Sequence, residues 1–134
     1  MSDRAPLVVT IKETTDPVAA GNDQTTVIDE ARFAGTVTAV AYIPLAGING
    51  ANTNSRTISV INKGGAGAGS AVAATLALVS GTNLAADREN ALPLSGTPAN
   101  FVVAEHDVLE FTSAHVGAGI ADPGGEIRVT LSRS

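Results

Sequence analysis

The sequence predicts an all-β fold, an antiparallel β-sandwich of the jelly-roll or immunoglobulin-like kind preceded by an N-terminal arm or added strand. Three observations carry that prediction. Glu126 to Ser132 alternates cleanly, with Ile127, Val129 and Leu131 on one side and Glu126, Arg128, Thr130 and Ser132 on the other, as a strand with one buried and one wet face requires. About eight to nine short runs of this type succeed one another, separated by clusters of Gly, Asn, Asp and Pro. Their short spacing favours antiparallel pairing over βαβ crossovers.

Leu7 to Glu13 reads as a first strand, and Thr14 to Thr26, with Asp16-Pro17 and Gly21-Asn22-Asp23, as a long polar connection. Val27 to Phe33 is short and ambiguous between strand and helical turn; the β-prone run after Gly35 favours strand. Gly35 to Pro44 alternates Val37, Ala39, Ala41 and Ile43 against Thr36, Thr38, Val40 and Tyr42, and Pro44, which cannot donate to a ladder, closes it. Leu45 to Ser55 is loop, and Arg56 to Asn62 the next strand. Lys63 to Ser70 is too rich in glycine for a strand interior and leads into Ala71 to Val79, where Val72, Ala74, Leu76 and Leu78 share a face. Thr82 to Ala91 is an exposed charged loop with room for one helical turn. Leu92 to Leu94, Phe101 to Ala104 and Asp107 to Thr112 supply short strands before the last one.

A chain of 134 residues has the size of one domain and buries a real core. Two parts are expected within it: an arm or first strand over residues 1–32 and the sandwich over 33–134. The only aromatics are Phe33, Tyr42, Phe101 and Phe111, too few to build stacking platforms for sugars or single-stranded nucleic acid once the core takes its share. A net charge of −5 with scattered Lys12, Arg32, Arg56, Lys63, Arg88 and Arg128 disfavours nucleic acid and anionic membranes as partners. The absence of cysteine removes disulfides and thiolate chemistry. Met1 to Pro6 lacks the apolar run of a secretory leader, and no segment has bilayer-spanning length, so synthesis in the cytoplasm is expected.

The candidate chemical motifs read as structure. Gly64 to Ser70 lacks the Lys-Ser/Thr ending and the following helix of a phosphate loop. Glu105-His106-Asp107, even with His115, has the wrong parity for a metal site on a strand, and Asp29-Glu30 fails as a catalytic pair for the same reason. Ser113, His115 and Asp122 form a triad only on paper, without a nucleophile elbow. Asn49 to Asn54 has oxygen side chains but no carboxylates to attract calcium, which leaves loop capping. No catalytic, cofactor-binding or metal-ligating residue is assigned, no cofactor is expected, and the chain is not expected to be an enzyme.

Three blocks carry a resemblance: Gly35 to Pro44, Asn52 to Gly64, and Asp107 to Gly119 running on through Asp122-Pro-Gly-Gly-Glu-Ile-Arg-Val129. Together they resemble small head-decoration proteins of tailed bacteriophages over about residues 33 to 132, departing where Ala104-Glu105-His106-Asp107 replaces an Ala-Gly-Asp turn. The resemblance implies a capsid cement protein in the virion, docked on the outer surface of the assembled shell, bridging neighbouring major capsid protein subunits and forming a homotrimer. The alternative is a receptor- or carbohydrate-binding β-sandwich module of a phage tail or fibre. Leu7, Val9 and Ile11 are then the candidate capsid or trimer contacts, through addition of a strand to a neighbour's sheet edge.

Overall fold

The computed structural model describes residues 7–134. The first six positions, on which the reading of the leader rests, lie outside the described residues. Among the described residues nine strands form: β1 (Val8–Thr15), β2 (Gln24–Glu30), β3 (Gly35–Pro44), β4 (Ser55–Asn62), β5 (Ala71–Ala77), β6 (Asn90–Ala91), β7 (Val102–Val103), β8 (Val108–Val116) and β9 (Gly125–Arg133). One short 3-10 helix, Pro98–Phe101, precedes β7. The first sheet runs β1-β9-β3-β6, with β7 also on β3, and the second runs β2-β8-β4-β5. Every pairing between these strands is antiparallel, so the architecture is the all-β sandwich that the alternation predicts.

The two sheets close on a core of aliphatic side chains around one aromatic pair. Ile127, Val129 and Leu131 of β9 are at most 1% exposed, as their parity requires, and face Val37, Val40 and Tyr42 on the same sheet's inner side. Across from them lie Ile58 and Val60 of β4 and Leu109 and Phe111 of β8. Tyr42 and Phe111 stack between the sheets at 5.1 Å with an interplanar angle of 24°.

Two predicted faces are corrected, each by a bulge. In β3 the register shifts between Val37 and Ala39, so Val37 joins Val40 and Tyr42 inside while Ala39 and Ala41 face outward. In β5 the shift opposite Val60 and Ile61 makes Ala73 the extra residue, so Ala74, Leu76 and Leu78 keep their shared face toward the core while Val72 falls beside outward-facing Ile61. Alternation read from sequence cannot cross a bulge, because one inserted residue inverts every side chain beyond it. The predicted strand over Leu92 to Leu94 is instead β6 followed by a single bridge, Ala74 to Leu94.

The described part of residues 1–32, expected as an arm or first strand, supplies one strand to each sheet. β1 pairs along β9 from Val8 to Thr15, and β2 along β8 from Gln24 to Glu30, so each is a strand of one of the two sheets. Burial of Ile11 and Ile28 in the common core is the physical reason.

Between β6 and β7 the chain crosses one flank of the sandwich. Leu92 N donates to Val40 O, Thr75 N to Pro93 O and Ser95 N to Ala73 O, so this strap ties the edge of β3 to the edge of β5. Among the described residues, the opposite flank, bounded by β1 and β2, has no such strap. At one end of the sandwich, the loop Asp122-Pro123-Gly124-Gly125 enters β9. Gly124 has φ +79, and at Gly125 a side chain would collide with Ile43 O, so both glycines are dictated by geometry.

Inner and outer faces of β9 should answer differently to charge. Val129→Glu is expected to lower stability by about 3 kcal/mol or more, through an unpaired charge in the core. Arg128→Glu is expected to shift a thermal melt only slightly, because Arg128 faces outward; the reverse order of effects would show β9 to be inverted.

Candidate functional site

The densest polar arrangement lies inside the sandwich. Arg56 of β4 is 0% exposed, and it shares the inward parity of Ile58 and Val60. Its Nη1 donates to Ser113 Oγ at 3.2 Å, and Ser113 Oγ donates to Asp122 Oδ2 at 2.7 Å. Tyr42 OH donates to Asp122 Oδ1 at 2.7 Å, which leaves Thr15 Oγ1 to donate to Tyr42 OH at 3.0 Å while accepting from Gly125 N. One hydrogen-bonded chain thus runs from β4 through β8 and the loop before β9 to β3 and β1, joining the two sheets.

The remaining donors of Arg56 hold loops. Nε donates to Ile120 O at 2.7 Å, and Nη2 to Ala19 O, Ala20 O and Asn22 O at 3.1, 3.2 and 2.9 Å. The loop between β1 and β2 and the loop between β8 and β9 are therefore fastened to one guanidinium, and a backbone bridge between Val18 and Asp122 ties them to each other. Asp122 also accepts from Gly124 N and Gln24 Nε2. Among the described residues no buried side-chain nitrogen or oxygen lacks a partner. Burial pushes the Tyr42 phenol well above its usual pKa, so it stays a donor to Asp122.

The sequence placed Ser113, His115 and Asp122 as a paper triad, and the structure brings only two of them together. His115 Nδ1 pairs instead with Asp23 Oδ1 at 2.5 Å, and His115 N donates to the same oxygen at 2.8 Å. These bonds hold the Asp23 carboxyl below its ordinary value, the backbone N–H contributing most. Ser113 is fully buried between Arg56 and Asp122, and the imidazole of the paper triad is engaged elsewhere.

The other motifs fall at separate places. His106, with φ +74 in the turn before β8, lies 3.5 Å from Glu30 and 3.7 Å from Glu105, whereas Asp107 Oδ2 accepts from Asn62 Nδ2 and Ala104 N. Among the described residues no group of three His, Cys, Asp or Glu side chains is placed to hold a metal. Asp29 and Glu30 both pair with exposed Arg32. The glycine run joins β4 to β5, with Gly64 N on Asn62 Oδ1 and Gly69 N on Lys63 O. Asn52 and Asn54 cap backbone N–H groups of Ser80 and Ala118.

Of the three candidate contacts, Ile11 is 7% exposed in the core and Val9 packs on it from the edge, while Leu7 is 40% exposed. The outer face of the first sheet carries an open groove of about 380 Å³, floored by Thr10, Thr130, Ala39 and Ala41 and bordered by Lys12, Arg128 and Glu89. Arg128 is paired there with Glu126 at 2.5 Å and Glu89 at 3.1 Å. Tyr42 and Phe111 lie in the core, and Phe33 and Phe101 pack against it partly buried. Among the described residues no helix is long and apolar enough to cross a membrane.

No family model matches the chain, and no curated protein matches it. Among solved structures, the chain is similar to a chain of the T13 particle of infectious bursal disease virus, at 14% identity and TM-score 0.46, covering 98% of this chain and 32% of that one. It is similar to VP2 of the same virus in a subviral particle, at 13% identity and TM-score 0.42, covering 96% and 32%. A third likeness, to the Gx strain of that virus, has 14% identity and TM-score 0.36 and covers 98% and 33%. The chain spans about a third of the length of the chains it matches.

Asp122→Ala is expected to cost about 3–5 kcal/mol, since it strands Tyr42 OH, Ser113 Oγ and Gly124 N in the interior. Chemical denaturation measures that loss, and a loss below about 1 kcal/mol would show the network to be dispensable. Asp23 predicts a pH effect. Its folded pKa lies below the ordinary value of 3.8, so its contribution is complete above that value and is lost as pH falls through the folded pKa. The stability difference between wild type and Asp23→Asn should therefore shrink on acidification below about pH 4, and a difference that grows would reverse the sign assigned here.

Proposed function

We propose that the chain is a capsid cement protein of tailed bacteriophages, a virion protein that docks on the outer surface of the assembled shell and bridges neighbouring major capsid protein subunits, three copies acting together as a homotrimer. The observation that carries this reading is where the resembling blocks fall. Gly35 to Pro44 is β3, Asn52 to Gly64 contains β4, and the block from Asp107 contains β8 and the start of β9. Those blocks hold Tyr42, Arg56, Ser113 and Asp122, four members of the buried hydrogen-bonded chain. What resembles decoration proteins is thus the frame that fixes the fold and its two end loops.

A protein whose buried polar groups all serve its own rigidity acts through its surface. Rigid modules lose little conformational entropy on docking, and weak contacts repeated over a lattice accumulate by multivalency. The reading as a receptor- or carbohydrate-binding tail module gains little from the surface, because two of the four aromatics are in the core and the other two, Phe33 and Phe101, pack against it.

Mixing the purified chain with matching undecorated heads tests the proposal. The expected result is stoichiometric density on the outer shell, in groups of three, visible by electron cryo-microscopy. Heads that stay bare while the chain binds tail fibres or glycans would refute it.

A further inference from the structure

Among the described residues, the flank bounded by β1 and β2 presents an uncovered sheet edge. Arg133 N donates to Leu7 O, which with the register of β1 on β9 makes Leu7, Val9, Ile11 and Glu13 the residues hydrogen-bonded to β9. Val8, Thr10, Lys12 and Thr14 therefore aim their backbone N–H and C=O groups away from the sheet. Thr14 N is taken by Glu13 Oε1 at 3.0 Å, which ends the open stretch at Lys12. The other edges are blunted: β3 carries β6 and β7, β5 is covered by residues 93–95, and β2 is interrupted by a bulge between Val27 and Asp29.

We propose that Val8 to Lys12 of β1 pairs antiparallel with the same segment of a second copy of this chain, about a two-fold axis at Thr10. The sequence of the edge selects both occupant and register. With Thr10 opposite its symmetry mate, Val8 lies opposite Lys12, so each lysine stem covers a valine that is 57% exposed in the single chain. On the inner side Val9 meets Ile11 of the second copy, which extends the core across the junction. The two Thr10 side chains then face each other as Thr10 and Thr130 do within the chain, where their hydroxyls lie 3.2 Å apart. Moving the axis to Ile11 sets Val8 against Thr14, whose N–H is occupied, and moving it to Lys12 sets two ammonium groups together. Only the axis at Thr10 uses all three open residues without a like-charge pair. This contact is isologous and does not rest on the capsid reading.

Single-cysteine variants test it, because the chain has no cysteine of its own. In a hydrogen-bonded antiparallel pair the two Cα atoms at position 10 would be about 5.5 Å apart, within disulfide reach. Under mild oxidation of the free chain, Thr10→Cys should give a covalent dimer at least about tenfold faster than Val27→Cys, an exposed control on β2. Thr10→Pro should abolish concentration-dependent self-association in analytical ultracentrifugation yet keep the fold, since the N–H it removes faces outward. Equal cross-linking of the two cysteine variants, or cross-linking of Thr10→Cys only after another protein is added, would overturn the proposal. The cysteine comparison decides the matter whatever the proline does to stability.

Discussion

The fold depends on a single buried guanidinium. Arg56 gives its donors to Ser113 and to four loop carbonyls, and through Ser113 it begins the hydrogen-bonded chain that ends at Thr15 and Gly125. A buried cation is costly unless its donors are satisfied, and an arrangement this specific cannot be met by a slipped register or a displaced loop. The hydrophobic core of Val, Ile and Leu would tolerate several packings; the polar chain admits one.

This division of labour explains how one end of the sandwich differs from its flanks. At the end held by Arg56, the loops between β1 and β2 and between β8 and β9 are fixed from within, and His115 with Asp23 adds a clasp at the surface. Along one flank the strap through Leu92 to Ser95 joins the sheets, and along the other the backbone of β1 is open.

The sandwich itself was legible from alternation, because strands with one wet face write their parity into the sequence, and β9 did so without interruption. The bulges in β3 and β5 were not legible, since an inserted residue leaves no compositional mark. The position of residues 7–32 was obscured by Asp16-Pro17 and Gly21-Asn22, which signal a turn without showing that the strands on either side pair in different sheets. Arg56 was the chief omission. Counted only among scattered charges, it nonetheless shares the parity of Ile58 and Val60, and an arginine in phase with a buried aliphatic row was the available signal. Ser113 and Asp122 were set side by side only in a triad dismissed for want of a scaffold; their hydrogen bond is a link of the polar chain.

Amide hydrogen exchange tests the central role of that chain most directly. Gly124 and Gly125 sit in a glycine-rich loop, yet their N–H groups donate to Asp122 Oδ1 and Thr15 Oγ1, and Val18 N donates to Asp122 O. If the network holds the two sheets as one unit, these three amides exchange only through global unfolding, with protection equal to that of Val129 and Phe111. Exchange of all three at the rate of an open loop, while the core strands stay protected, would contradict it.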